Sequence, residues 1–306
     1  MQCTLSKREA TWELPVRLPE EVSLAQHFHG PDDATVVIPV KDDPEGLGET
    51  LEALWGNGAG TWPARIIMVD DGSRDGGAAT LALAAKATRR GLPVAATIQK
   101  VNQGPAAARN IGAKLAETAW LWFVDAGVRP SSRYLEAIAA FGRSHPAVAW
   151  TGPILSDATG LFAAYYTAQG ILIPPTASDG SLDAFVTASV LVNRKVFELA
   201  GGFDECFRRA AAEDLDLGLR LRPYGRIGWS REAVARHRFC EDEEDFRKRF
   251  YRYGYGFFQF GHKWKCVMEP WPVTAKCDEP DHHRLAALQY AQLWRGWKDA
   301  AADHSA

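Results

Sequence analysis

The chain has 306 residues, a formal net charge of −3 and 24% charged residues, the profile of an ordinary globular protein with room for one large α/β domain and an appendage. That charge balance gives no support for nucleic-acid binding, which would show a basic excess, and no apolar run reaches the roughly 18 residues needed to cross a bilayer. Met1 to Ala10 lacks the apolar stretch of a secretion signal. The five cysteines, Cys3, Cys206, Cys240, Cys266 and Cys277, form an odd, scattered set without a C-x-x-C pair, so a reduced, cytoplasmic setting is expected.

Residues 1–33 are polar and proline-bearing and are expected to form an irregular extension. Order begins at Ala34-Thr-Val-Val-Ile-Pro-Val40, a β-branched run of the kind buried in a parallel sheet. Asp43-Pro44-Glu45 then supplies a cap, a proline at the first helical position and an acid in the first turn, and Leu47, Leu51 and Leu54 follow at helical spacing. Further strands are predicted at 65–69, 93–98 and 120–124. Helices are predicted at about 77–90, 105–117 and 131–143. Alternation of this kind predicts βαβ crossovers and a mostly parallel sheet with helices on both faces.

Beyond Trp150 the pattern is irregular. Leu161 to Pro175 is aromatic and reads as a loop broken by Pro174-Pro175, Phe185 to Val192 as a strand, Glu213 to Arg222 as a helix and Arg226 to Trp229 as a short strand. A basic-aromatic segment runs from about Asp242 to Trp264, and an amphipathic helix from about Asp281 to Ala301. Cys266, Cys277, His282 and His283 match no common zinc spacing, which favours a structural reading there.

The predicted strands end on acids. Asp42 and Asp43, Asp70 and Asp71, and Asp125 gather along one sheet edge, where open α/β sheets bind ligands. Such a rim repels itself unless a cation or a donor-rich ligand such as a nucleobase and ribose sits among the carboxylates. Asp43 and Asp75 also suit caps and turns. G-x-G-x-x-G, G-x-x-x-x-G-K-[ST] and G-x-S-x-G are all missing, which argues against a dinucleotide-binding fold, a P-loop nucleotidase and an α/β-hydrolase.

An ordered set is present instead: Ile38-Pro39-Val40, Val69-Asp70-Asp71-Gly72-Ser73, Asn102-Gln103-Gly104 with Ala108-Arg109-Asn110, Val124-Asp125-Ala126-Gly127, Gly201-Gly202-Phe203-Asp204-Glu205, and Glu213-Asp214. From about Ala34 to about His237 this set resembles the family 2 glycosyltransferases of the GT-A fold. The resemblance implies a Rossmann-like nucleotide-sugar half at 34–130, an acceptor and catalytic half at 131–240, and a helical C-terminal extension at 241–306.

It also implies roles. Pro39 and Val40 would line the base pocket, with Asp42 on the same rim. Asp71, beside Asp70, would accept a hydrogen bond from uracil. Gly104 would let a ligand approach, and Arg109 would offer its fork to the nucleotide. Asp125 and the adjoining Ala126 match the start of the family's D-x-D triplet, which touches ribose and metal. Gly127 stands where the usual metal-ligating acid belongs. A divalent Mn2+ or Mg2+ ion would then rest on Asp125, His237, diphosphate oxygens and water. The alternative is metal-free chemistry with Arg109, Arg236 or Arg238 neutralising the leaving group.

Asp214 matches the general base of an inverting, in-line transfer, with Glu213 orienting the acceptor. The Q-x-x-R-W motif of processive synthases is missing, so transfer of a single sugar from a UDP-sugar is expected. The acceptor is left open among a small natural product, a peptide, a glycan or a lipid-linked sugar. Residues 246–264 would bind the acceptor, touch an anionic membrane surface or pack on the catalytic domain. The rival expectation, prompted by Gly127, is a catalytically inactive module that binds a nucleotide-sugar or a partner.

Overall fold

Alternate side chains of β1 (Ala34–Val40) are buried on opposite faces of a sheet, Val36 and Ile38 in one core and Val37 in the other. In this computed structural model, which describes residues 27–56, 62–157, 159–174, 181–182, 185–238 and 242–304, β1 lies between two parallel neighbours, β2 (Arg65–Asp70) and β4 (Trp120–Val124). β3 (Val94–Ile98) continues the parallel order beyond β2. A strand covered on both faces has no polar side to show, which explains the uninterrupted apolar runs of β1 and β4. The expected N-terminal extension lies outside the described residues up to position 26; among those described, a 3-10 turn, Pro31–Asp33, precedes β1.

Helices α1 (Pro44–Gly56), α2 (Ala78–Arg89) and α4 (Tyr134–Gly142) contribute to the first core, through Leu47, Leu51, Leu54, Ala87 and Ile138. Helix α3 (Pro105–Lys114) covers the other face with a small-residue surface of Ala106, Ala108 and Ala113. Each fully buried leucine contributes about 1.5–3 kcal/mol relative to exposure. Gly112 of α3 lies so close to β1 that a Cβ there would overlap Val37.

β1 stays paired with β2 as far as Val40↔Asp70, but its pairing with β4 ends at Val37↔Phe123. The chain winds outward from β1 through β2 to β3, then returns to the opposite side of β1 as β4. The carboxyl ends of β1 and β4 therefore part at the point where strand order reverses, the standard ligand crevice of an open α/β sheet. Pro39, which has no N–H to donate, sits beyond the last β1–β4 pair.

Past β4 the sheet becomes mixed. β9 (Ser189–Asn193) runs antiparallel between β4 and β6 (Ala149–Thr151), followed by β10 (Ile227–Trp229) parallel to β6 and a short antiparallel edge, β8 (Ser181–Leu182). A small second sheet joins β5 (Val128–Pro130), β11 (Ala235–His237) and β7 (Ile154–Ser156). α6 (Arg194–Leu199) and α7 (Glu213–Leu221) complete the second half.

One expectation changes here, and one of the alternatives left open for the basic-aromatic segment, packing on the catalytic domain, is the arrangement seen. Leu161–Gln169 is a helix, α5, not a loop; Gly170, in the left-handed region, caps it and satisfies its last carbonyls. The double proline that suggested a loop begins after that cap. The basic-aromatic segment is one helix, α8 (Glu243–Trp264), with Phe246, Phe250, Phe257 and Phe260 turned inward; Phe246 stacks on Tyr166 of α5. These four rings are spent on packing against the rest of the protein, whereas Tyr251, Tyr255 and Phe258 of the same helix stay partly exposed. No helix among the described residues is long and apolar enough to cross a membrane. α9 (Pro280–Asp303) lies alongside α8 in the same direction, since Arg284 meets Glu243 and Asp303 meets Tyr255.

Candidate active site

Most rim acids are spent on holding the rim together. Asp42, in the left-handed region, accepts from the Arg74 N–H at 2.8 Å and pairs with Lys41 at 2.8 Å. That amide, then Lys41, lowers its pKa to about 2. Asp43 caps α1 through the Gly46 N–H, and Asp75 accepts from the N–H groups of Gly77 and Ala79. Asp70 is fully buried and accepts from the Ser73 N–H at 2.8 Å and the Thr80 hydroxyl at 2.6 Å. Asp71 accepts from the N–H groups of Gln103 and Gly104, both at 2.8 Å. Burial raises its pKa, and those two amides work against the rise. The expected mutual repulsion is thus eased by backbone and side-chain donors, Lys41 among them. Asp71 retains lone pairs for a further donor, and Pro39 and Val40 stand beside it at the end of β1.

Gly104 has a structural duty beside the one expected of it, and Arg109 differs from expectation. Gly104 is required by the protein itself: at φ 98° its missing Cβ would come within 2.5 Å of the Arg208 carbonyl oxygen. Arg109 is buried and turned to protein acids rather than open to a nucleotide. Only 2% exposed, it donates from Nη2 to Asp125 at 2.7 Å and from Nη1 to Glu213 at 2.9 Å. Burial opposes its charge, but Asp125 and then Glu213 more than reverse that and hold it protonated. The fork joins the acid at the end of β4 to the acid that opens α7.

Asp125 is the more open end of this chain, its side chain 35% exposed. The turn it begins is fastened by Thr50 of α1, whose hydroxyl donates to the Val128 carbonyl at 2.8 Å and accepts from the Gly127 N–H at 3.0 Å. Gly127 has φ 83°. A Cβ there would meet only ordinary contacts, Gly46 Cα at 3.8 Å and His237 Cε1 at 3.9 Å. Pairing of β11 with β5 sets His237 opposite Val128, and so beside this turn. Burial, and then the charge of Arg249, lowers the His237 pKa, which keeps the imidazole neutral at neutral pH.

Glu213 and Asp214 open α7 after Ala212, a non-glycine residue at φ 68°. That conformation costs about 1–2 kcal/mol and turns the chain so that Glu213 enters the interior, 3% exposed. Glu213 has a raised pKa, from burial that the Arg109 contact only partly offsets. The neighbouring Asp214 carboxyl is pushed up to about 7, by burial first and the charge of Glu213 second. One of its oxygens accepts from the Leu215 N–H at 2.9 Å. A carboxyl held near neutrality is matched to taking and giving protons at physiological pH.

Further residues hold the site together, and of these Asp216 and Arg249 carry no distinctive pattern in the sequence. Asn110 locks α3 to the 201–205 loop, donating to the Phe203 carbonyl and accepting from the Phe203 N–H, each at 2.9 Å. Asp216, fully buried, accepts from Arg220 at 2.7 Å, Lys263 at 2.6 Å and the Trp264 indole at 2.9 Å, which ties α7 to the end of α8. Arg249 of α8 donates to the Tyr253 hydroxyl and lies 5.5 Å from the Tyr166 ring centre. Arg238 pairs with Glu45 at 2.6 Å and Glu49 at 3.1 Å. Two of the three arginines considered for metal-free chemistry, Arg109 and Arg238, are therefore committed to protein acids. A separate cleft of about 620 Å3, lined in part by Lys114, Arg194, Phe197 and Gly202, includes none of Asp71, Asp125, Glu213 or Asp214.

Asp125 and a neutral His237 suit a divalent ion in kind. Among the described residues, no third His, Cys, Asp or Glu donor joins them in a compact cluster. The donor set therefore fits an ion that brings most of its shell with it, as magnesium and manganese do when bound to diphosphate and water. It does not form a protein cage.

Residues 35–174 match the family model described as Glycosyl transferase family 2. Two curated relatives, both named pre-mycofactocin glycosyltransferase and both from Mycobacterium tuberculosis strains, are 28% identical over 230 residues. The match takes in 72% of this chain and 46% of theirs, so the chain spans about half the length of these relatives. Among solved structures, a mannosyltransferase from Pyrobaculum calidifontis in complex with GDP-Man and Mn2+ superposes with a TM-score of 0.59 at 14% identity, covering 89% of this chain and 75% of that one. TarS residues 1–349 from S. aureus superposes with a TM-score of 0.54 at 18% identity, covering 89% of this chain and 72% of that one. Over residues 35–174 the chain is thus similar to the family 2 glycosyltransferases, and its mixed α/β fold is the GT-A fold of these solved glycosyltransferases.

Proposed function

We propose that this protein is an inverting glycosyltransferase that moves one sugar from a nucleotide-sugar, in our reading a UDP-sugar, to an acceptor hydroxyl. The observation that carries the proposal is the chain of contacts Asp125–Arg109–Glu213 with Asp214 beside it, its carboxyl pushed up to about 7. In this reading Pro39, Val40 and Asp71 receive the base, and Asp125 stands at the ribose and diphosphate. Arg109 is a positioning residue that sets Asp125 and Glu213. As the acceptor oxygen attacks the anomeric carbon from the side opposite the diphosphate, its proton passes to an Asp214 oxygen. The bond from the anomeric carbon to the phosphate oxygen breaks, and the nucleoside diphosphate leaves with the electron pair. A divalent ion held by Asp125, His237 and the diphosphate would neutralise charge on the leaving group.

We take 34–130 as the donor half, 131–240 as the acceptor half and 241–306 as an extension that buttresses α7 through Asp216. The cytoplasmic setting rests on the scattered cysteines. For the donor, the fold neighbours do not decide between bases, since one is in complex with GDP-Man and another with UDP-GlcNAc. Uridine is our reading of Asp71. The test is release of nucleoside diphosphate from a panel of UDP- and GDP-sugars, with and without manganese and with candidate acceptors, pre-mycofactocin included. Release of UDP that depends on an acceptor supports the proposal. Tight nucleotide binding with no release across the panel favours the inactive binding module.

A further inference from the structure

We propose that Cys277, Glu279 and His282, at the start of α9, form a binding site for a thiophilic divalent cation, with zinc the fitting ion. One ligand atom from each of the three lies within 4.8 Å of the other two. The site shares no residue with the Asp125 region and does not depend on the function proposed above.

The independent sign is His282. The residue is 3% exposed, and its Nδ1 is fully buried with no hydrogen-bond partner among the described residues. An imidazole nitrogen taken out of water and left unbonded carries a desolvation penalty that coordination to a metal removes. The ring is held by an edge contact with Tyr165 of α5, 5.5 Å between centres, and Tyr165 is in turn fixed by its hydrogen bond to Gln289 at 2.7 Å. The histidine is thus presented on a rigid support, as ligand sites require.

The chemistry of the set selects the ion. Sulfur, imidazole nitrogen and carboxylate together suit zinc, whereas magnesium and calcium prefer oxygen alone. Ligand atoms around a tetrahedral zinc sit about 3.3–3.7 Å apart, given its usual bond lengths. Closing that difference falls to rotation of Glu279, which is exposed, and of Cys277, which is half-buried. Thiolate and carboxylate cancel the charge of a dication, so the helix start, which disfavours cations, faces a neutral complex. Binding expels the thiol proton. Three protein ligands leave one coordination position for water. His283, next in the chain, is turned to Asp278 at 3.0 Å instead.

The ion would clamp the 265–279 connection onto the α5–α9 contact. The test is alkylation of the full-length protein by iodoacetamide with peptide mapping, in zinc, in magnesium or in neither. Zinc is expected to slow labelling of Cys277 by about tenfold or more, and magnesium to have no effect. Exposed Cys206 serves as the internal control and keeps its rate. Glu279→Gln, at an exposed position, and His282→Gln each abolish the protection. Cobalt in place of zinc gives a thiolate-to-metal charge-transfer band that Cys277→Ser removes. The proposal is overturned if zinc leaves Cys277 labelling unchanged, or protects it equally in Glu279→Gln and wild-type protein.

Discussion

The imidazole of His237 stands beside Gly127, its Cε1 3.9 Å from the point that a Cβ on residue 127 would occupy. The protein therefore has room for an acid at 127 but offers a neutral histidine at its edge. Aspartate tolerates a φ of 83° better than most residues, at a cost of about 1–2 kcal/mol. Gly127→Asp is expected to tighten manganese binding in the presence of UDP by about tenfold or more, read by titration calorimetry. His237→Gln is expected to weaken it. Unchanged affinity in both variants would remove Asp125–His237 as the ion's seat.

Arg109 satisfies two acids from inside the protein, and its loss strands Glu213 as a buried, unpaired carboxylate. Arg109→Met is expected to cost about 3–5 kcal/mol in urea unfolding. Adding Glu213→Gln to that variant removes the stranded charge and recovers part of the stability, while activity stays low because Asp125 has lost its positioning partner. Arg109→Lys is also expected to be poor, since a single ammonium cannot span the two acids as the fork does.

The Asp214 carboxyl, near 7 when folded and 3.8 as its ordinary value, sets two opposite pH trends. As a base it must be ionised, so kcat/KM falls about tenfold per pH unit below 7. For stability, the folded form binds this proton more tightly than the unfolded chain. The group's contribution is fully present below pH 4 and is lost as the pH rises to about 7. Asp214→Asn is therefore expected to raise Tm relative to wild-type protein at pH 8 and to leave it little changed at pH 4, which thermal unfolding at the two pH values checks.

The C-terminal pair depends on glycines where the helices touch. A Cβ at Gly254 of α8 would overlap the Leu293 carbonyl, and one at Gly296 of α9 would overlap that of Tyr251. Alanine at either position forces the helices apart and is expected to cost about 1–3 kcal/mol. Because Asp216 joins α7 to Lys263 and Trp264 of α8, the same variants are expected to lower activity as well, measured as UDP release.

The parallel half of the fold was legible because β1 and β4 are continuous apolar runs and their helices have caps: Asp43 for α1 and the Gly104-Pro105 start of α3. α5 was hidden by its aromatics, which pack on α8, a contact no local pattern announces. At the site, the sequence shows which acids end strands but not what each one faces. Asp42, Asp70 and Asp71 turn to neighbouring N–H and O–H groups, whereas Arg109 joins residues 16 and 104 positions away. Cys277 and His282 fit no common zinc spacing because the third member of their cluster is Glu279, an exposed carboxylate like many others.

The central claim is that Asp214 is the base of a sugar transfer. The direct measurement is Asp214→Asn, with UDP affinity and acceptor-dependent UDP release determined on the same preparation. Affinity is expected to stay within about threefold of wild type while kcat falls by about 10²–10⁴. Near-wild-type turnover by that variant, with UDP binding intact, would contradict the account.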